Sequence, residues 1–286
     1  MVECVDSILK GERLENHRYK LLLVDIDGTM VDRSGAISSE NKKALARVAA
    51  SGVKISLSTG RVIKACLPIL EQLSLDGVHI FFDGALVANL AESQEVYAQP
   101  LKAEVVKRAV SFAHLNNIYL ELYSKNHFFA DQENWAVEIH RHFFRVEPTF
   151  VDFSGIWDRE RIIKAELVAY SAKEHAKARS FQNEFASSLR FSIARTPSFP
   201  DVDFINIVDP KVSKGEALMA LASHLGVEVS EVMAVGDGLN DISLLETAGL
   251  AVAMGNAPDE VKKVADHVTL DVDLNGLAVA IEKFLV

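Results

Sequence analysis

The 286 residues, 49% hydrophobic and 24% charged, have ordinary globular composition and enough length for one large domain or two modest ones, which excludes disorder and a bare disulfide scaffold. Forty acidic against thirty basic residues leave a formal charge of -10, which argues against a surface built to neutralise a nucleic-acid backbone, so an anionic ligand must be held by a local cluster. The longest apolar run, Ala248 to Gly255 counting glycine, falls far short of the roughly 18 to 20 residues that span a bilayer, and Cys4 and Cys66 lack metal-site or disulfide-framework spacing. The first residues mix acids and bases without the apolar core of a secretory signal, so a cytoplasmic protein that binds neither membrane nor nucleic acid is expected.

Within residues 1 to 18, Val5, Ile8 and Leu9 have helical spacing and read as a packing helix. Lys20 to Val24 is apolar at every position after the lysine, the pattern of a central parallel strand covered on both faces. It ends in Asp25-Ile26-Asp27-Gly28-Thr29, where strand alternation puts Asp25 and Asp27 on one side, beyond the carboxyl end at which open parallel sheets bind ligands. Two carboxylates there need a cation or a proton. A calcium loop is excluded, because its glycine and glutamate positions hold Met30 and Ala36. A helix over Ser39 to Ser51, stopped by Gly52, and a strand over Val53 to Ser58 complete a βαβ unit. The second strand ends in Ser58-Thr59-Gly60-Arg61, which suits either a phosphoryl oxygen cluster or an ordinary helix cap.

Residues 83 to 207 break this alternation. Tyr119 to Ser124 and His127 to Ala130 read as an antiparallel hairpin around Lys125 and Asn126, followed by a helix over Trp135 to Phe144. Further strands are expected over Arg161 to Tyr170, Leu189 to Arg195 and Asp203 to Val208, with a helix over Ala172 to Ser187 between the first two. His140 and His142 point to different faces of their helix and read as surface or packing residues, and Trp135, Phe143 and Phe144 as apolar core. Buried Cys66 reads as core as well. Parallel alternation then resumes with a helix over Lys214 to Leu225, a strand over Glu231 to Asp237, a helix over Asp241 to Ala248, a strand over Leu250 to Met254 and a helix over Pro258 to Ala265. Val212-Ser213-Lys214-Gly215 opens the first of these. Gly236-Asp237-Gly238-Leu239-Asn240-Asp241 follows the strand, as in a loop that wraps a hard cation or a phosphate. The fold class is therefore α/β: a Rossmann-like parallel-sheet core, residues 1–82 and 208–286, carrying an inserted α+β cap, residues 83–207.

These four motifs, in this order and each beside a predicted strand or helix, resemble the haloacid dehalogenase superfamily, and the long insertion resembles its Cof-type branch. The resemblance implies a Mg2+-dependent phosphatase acting on a small phosphorylated metabolite such as a sugar phosphate. It implies Asp25 as nucleophile and Asp27 as general acid and base. Asp25, the Asp27 carbonyl and Asp237 would hold the metal, and Thr59, Gly60, Lys214 and Asn240 the phosphoryl oxygens, with Arg61 beside them. Asp241 and Gly28 would support the cluster. A sugar phosphomutase with the same chemistry, or a non-catalytic relative, is the alternative reading, and the chain is expected to be a monomer or a small homo-oligomer. Asp83 stands where the branch usually has asparagine, either contacting substrate or making a tolerated hinge turn, and Asn206 stands where an acidic residue is frequent.

Overall fold

The computed structural model describes residues 18–144, 146–196 and 199–286, so Cys4 and the expected helix around Val5, Ile8 and Leu9 lie outside the described residues. In chain order the first elements are β1 (Leu21–Val24), α1 (Ser39–Ala50), β2 (Lys54–Leu57), α2 (Ile63–Leu73), β3 (Val78–Phe81), β4 (Leu86–Asn89) and β5 (Gln94–Ala98). Next come α3 (Ala103–Leu115), β6 (Glu121–Tyr123), β7 (Phe128–Ala130), α4 (Trp135–Ile139), β8 (Thr149–Phe150), α5 (Ile156–Arg159), β9 (Lys164–Ala169), α6 (Ala172–Phe185), β10 (Arg190–Thr196) and β11 (Phe199–Val208). The chain closes with α7 (Lys214–Leu225), β12 (Val232–Gly236), α8 (Ile242–Thr247), β13 (Leu250–Ala253), α9 (Asp259–Val264), β14 (His267–Val268) and α10 (Gly276–Phe284).

Five parallel strands in the order β14-β13-β12-β1-β2 form the first sheet. β1 lies between β12 and β2 and is buried at all four positions, as its unbroken apolarity requires. Strand alternation sends Leu22 and Val24 into one apolar cluster and Leu21 and Leu23 into another on the opposite face. Because the strands run parallel, Asp25, Thr59, Asp237 and Asn256 follow carboxyl ends along one edge of the sheet.

β3, β4 and β5 form a small antiparallel sheet. A bridge from Ser58 to Ile80 sets β3 beside β2, while the Leu57 N–H donates to His79 Nδ1 at 3.2 Å and Ser56 Oγ to the Val78 carbonyl at 2.8 Å. Phe81, Leu86 and Ala88 join one cluster of the parallel sheet and Val78, Ile80 and Val87 the other.

The third sheet has six strands in the order β10-β11-β9-β6-β7-β8. Its hairpin from β6 to β7 closes where the Ser124 N–H donates to the His127 carbonyl at 3.0 Å. Leu122, Phe129, Ala165, Leu167, Ile205 and Ile207 turn one face onto α3, α5 and α6 in a separate apolar cluster. The capping box of Ser171 and Glu174 begins α6. Tyr123, Phe128, Val146 and Ile163 instead join the cluster of the parallel sheet, so the two layers meet.

Several expected boundaries move by a residue or two. Pro258 is the residue that precedes α9 rather than its first member, and α4 passes into a π-helical turn over His140–Phe144. Trp135 is not core: it is 38% exposed and donates Nε1–H to Glu174. The side chains of Phe143 and Phe144 lie outside the described set.

Buried His79 titrates abnormally. Burial lowers its pKa from the ordinary 6.5 to about 4, and accepting the Leu57 N–H requires the neutral ring. Unfolded His79 takes up a proton between those values that folded His79 refuses, so stability is full above about pH 6.5 and falls on acidification toward about pH 4, by at most roughly 3 kcal/mol. Urea unfolding at about pH 7 and about pH 4.5 measures this, and His79→Asn should flatten that part of the pH dependence.

Candidate active site

Lys214 opens α7, where a cation meets the unfavourable end of the helix dipole, and its side chain is fully buried. Its Nζ donates to Asp25 Oδ1 at 2.7 Å, to Asp241 Oδ1 at 2.5 Å and to the Ser58 carbonyl at 3.2 Å. Three loops that each follow a parallel strand are thereby fastened to one ammonium. Burial alone would lower the Lys214 pKa, but Asp241, Asp25 and Asp83 outweigh it and raise it. The second oxygen of Asp241 accepts the N–H groups of Asp237 and Gly238 at 3.0 and 2.9 Å, which shapes the loop between β12 and α8.

Asp25 is held well above the usual carboxylate range by burial first and the Asp241 carboxylate second, with Lys214 pulling the other way. Asp237 is pushed up to about 7 by burial and by Asp241, although Thr29 Oγ1 donates to it at 3.0 Å. Ligand oxygens of Asp25, Asp237 and Asp241 lie within 4.8 Å of one another. Asp27 contrasts with its neighbour: its side chain is 59% exposed and is gripped at both oxygens by Arg61, at 2.8 Å from Nε and 2.5 Å from Nη2. Gly28 has φ +83°, and a Cβ there would stand 2.3 Å from Asp237 Oδ2, so glycine is required on both counts.

Asp83 lies in a short turn after β3 with φ 57°, buried, and its Oδ1 accepts Asn240 Nδ2–H at 2.8 Å. Its N–H donates to the Thr59 carbonyl at 3.0 Å, and a Cβ on Gly60 would meet Asp83 Oδ1 at 2.8 Å. Asp83 is therefore built into the loop after β2. Asp25, Asp27, Thr59, Gly60, Arg61, Asp83, Lys214, Asp237 and Asn240 all border one cavity of about 730 Å³, with Gly28 and Asp241 packed behind Asp237. The structure brings every expected site residue together. Cys66 stays outside the chemistry, its thiol pushed up to about 12 by burial.

Sequence reasoning placed Thr29 in its motif without a role and missed Asn256. Asn256 follows β13 at the same sheet edge as the other motifs, which is the signal that could have found it. It donates to the Gly28 carbonyl at 2.9 Å and to Asp237 Oδ2 at 3.0 Å, and accepts the Val272 N–H at 2.9 Å. His140, expected at the surface or in packing, borders the cavity with Nε2 3.0 Å from Glu121 Oε2, because the strand register turns that acid beneath it; exposed His142 does face elsewhere.

A family model described as haloacid dehalogenase-like hydrolase matches residues 22–281. The chain belongs to that family. It is 30% identical over 286 aligned residues to the phosphatase YwpJ of Bacillus subtilis, covering 91% of this chain and 97% of that protein. A haloacid dehalogenase-like hydrolase from Bacteroides thetaiotaomicron superposes with a TM-score of 0.80 at 28% identity, over 93% of this chain and 99% of that one. A sugar phosphatase of subclass IIB of the superfamily gives a TM-score of 0.76 at 27% identity, over 93% and 98% of the two chains. Among the described residues no helix is long and apolar enough to cross a membrane.

Asn256→Ala deletes two donated hydrogen bonds and one accepted one around the half-buried Asp237 carboxylate. It should cost about 1–3 kcal/mol of stability, measured by denaturant unfolding.

Proposed function

We propose that this chain is a Mg2+-dependent phosphatase that hydrolyses a small phosphomonoester, such as a sugar phosphate, through a phosphoryl group carried transiently on Asp25. The observation that supports it most is the buried Asp25–Lys214–Asp241 cluster, with Asp237 beside it, at the wall of a cavity large enough for a metabolite. Membership in a hydrolase family and likeness to proteins named as phosphatases point the same way.

The donor set suits a hard divalent cation. Asp25 and Asp237 offer oxygen ligands whose carboxylates are held above their ordinary range by burial and by repulsion from Asp241, an instability that a cation would relieve. Asp25, Asp237 and the backbone carbonyl of Asp27 would hold Mg2+, which when bound would draw negative charge from the phosphoryl oxygens.

Asp25, oriented by Lys214, attacks phosphorus and the bond to the leaving oxygen breaks. Asp27 protonates that oxygen, then removes a proton from the water that hydrolyses the acyl phosphate and regenerates Asp25. Burial suits the nucleophile, and exposure suits the residue that exchanges protons with solvent. Lys214, Asn240, Thr59 and the Gly60 N–H face the phosphoryl oxygens, while Asp83 fixes Asn240. A substrate phosphate competes with Asp27 for the Arg61 fork. In this proposal residues 83–207 form the cap and residues 1–82 and 208–286 the core, with β4 and β5 packed against the core clusters.

Hydrolysis of p-nitrophenyl phosphate tests this. Turnover should require Mg2+ and stop with a chelator. Asp25→Asn should lower kcat by at least ~10³-fold and Asp27→Asn by ~10²–10⁴-fold. Turnover that survives in Asp25→Asn, or none in the wild type with any phosphomonoester, refutes the proposal.

A further inference from the structure

The face of the six-stranded sheet that looks into the cavity is charged. Alternation along β9 sends Ala165, Leu167 and Ala169 into the cluster under the helices and turns Lys164 and Glu166 the other way. The register sets Glu166 between Asn206 of β11 and Glu121 of β6. Lys164, Glu166 and Asn206 border the cavity although they are only 4%, 4% and 6% exposed. Lys164 Nζ lies 2.5 Å from Glu166 Oε2 and 5.3 Å from the Tyr123 ring centre. Behind this pair, His140 Nε2 is 3.0 Å from Glu121 Oε2 and 3.7 Å from Glu166 Oε1, and Tyr123 donates its hydroxyl to Glu121 at 2.7 Å.

Burying such a network carries a large desolvation cost, and apolar residues of the same volume often hold a fold at least as well. Its position at the cavity wall therefore points to recognition. We propose that Lys164 and Glu166, with Asn206 beside them, are specificity-determining residues that receive the leaving group and select an uncharged, hydroxyl-bearing one over one that carries a carboxylate. This rests on the phosphatase reading above.

A hydroxyl can donate to Glu166 and accept from Lys164 at once. A carboxylate only accepts; it meets the charge of Glu166, with Glu121 behind it, while the charge of Lys164 is already offset. Of the other cations around the cavity, Lys214 is paired with Asp25 and Asp241, Arg61 with Asp27 and Arg33 with Asp271 and Asp273, while Arg190 donates one N–H to the Val212 carbonyl. Phe204, Val146 and Ile193 add apolar surface for a carbon skeleton.

The experiment compares kcat/KM for glucose 6-phosphate and for phosphoglycolate in the wild type, in Glu166→Gln and in the apolar double variant Lys164→Met/Glu166→Leu, with folding checked by circular dichroism. The wild type should favour the hexose phosphate by about tenfold or more. Glu166→Gln, which leaves the Lys164 charge uncompensated, should shift the ratio toward phosphoglycolate by at least about tenfold. The double variant should raise KM for the hexose phosphate. A wild type that prefers phosphoglycolate overturns the inference without any variant, as does an unchanged ratio in both variants. Hydrolysis of p-nitrophenyl phosphate with discrimination of the two metabolites below about twofold overturns it while the hydrolase reading stands. No turnover of any of the three by the wild type removes both.

Discussion

A buried ammonium group has to find its counter-charges inside the protein, and the arrangement of this molecule follows from where Lys214 finds them. Asp25, Asp241 and the Ser58 carbonyl come from three different strand-to-loop junctions. The ammonium fixes their spacing and makes the first turn of α7 tolerable for a cation, which would otherwise oppose the helix dipole. It does not balance the site. Asp25, Asp27, Asp83, Asp237 and Asp241 face Lys214 and Arg61, and burial first, then the neighbouring Asp241 carboxylate, push Asp25 and Asp237 upward. On the proposed function, an overall acidic protein attracts a phosphate here because the local balance is set by two fixed cations and by the further one that the crowded oxygens would hold.

Much of the core was legible because local chemistry and the global fold agree there. Leu21–Val24 is apolar at every position since both faces are covered, and Asp25 and Asp27 follow it since parallel sheets place ligands at that edge. The roles of Asn256 and Thr29 were not legible because an amide and a hydroxyl near turns have many uses, and only the packing of the loops against Asp237 shows theirs. The charged row of the six-stranded sheet was harder still. Period-two alternation in β9 shows that Lys164 and Glu166 share a face, but a polar face reads as solvated until the fold sets something opposite it. Trp135 erred the other way, for helical spacing shows which residues cluster and leaves open how deeply they are buried.

Asp83 shows how a substitution within a pattern can be absorbed. Its left-handed conformation is one that aspartate tolerates better than most residues, and its carboxylate occupies the space that the missing side chain of Gly60 leaves. With Asn240 donating to it, the residue joins the loop after β2 to the loop after β12, two segments that are not neighbours in the sheet order. The negative charge is thus a structural link and need not touch the substrate.

The position of β1 also has a consequence for how the protein is made. Its neighbour β2 follows within about thirty residues, while β12 pairs in register only from Val232 onward. At the roughly 5–20 residues per second of ribosomal synthesis, Leu21–Val24 waits on the order of 10 to 40 s with one edge open. An apolar strand in that state is a template for pairing with the wrong chain. The intervening segment, with an apolar cluster of its own, is complete before that edge closes. Yield in the cell should therefore depend on chaperones that shield the nascent amino-terminal half.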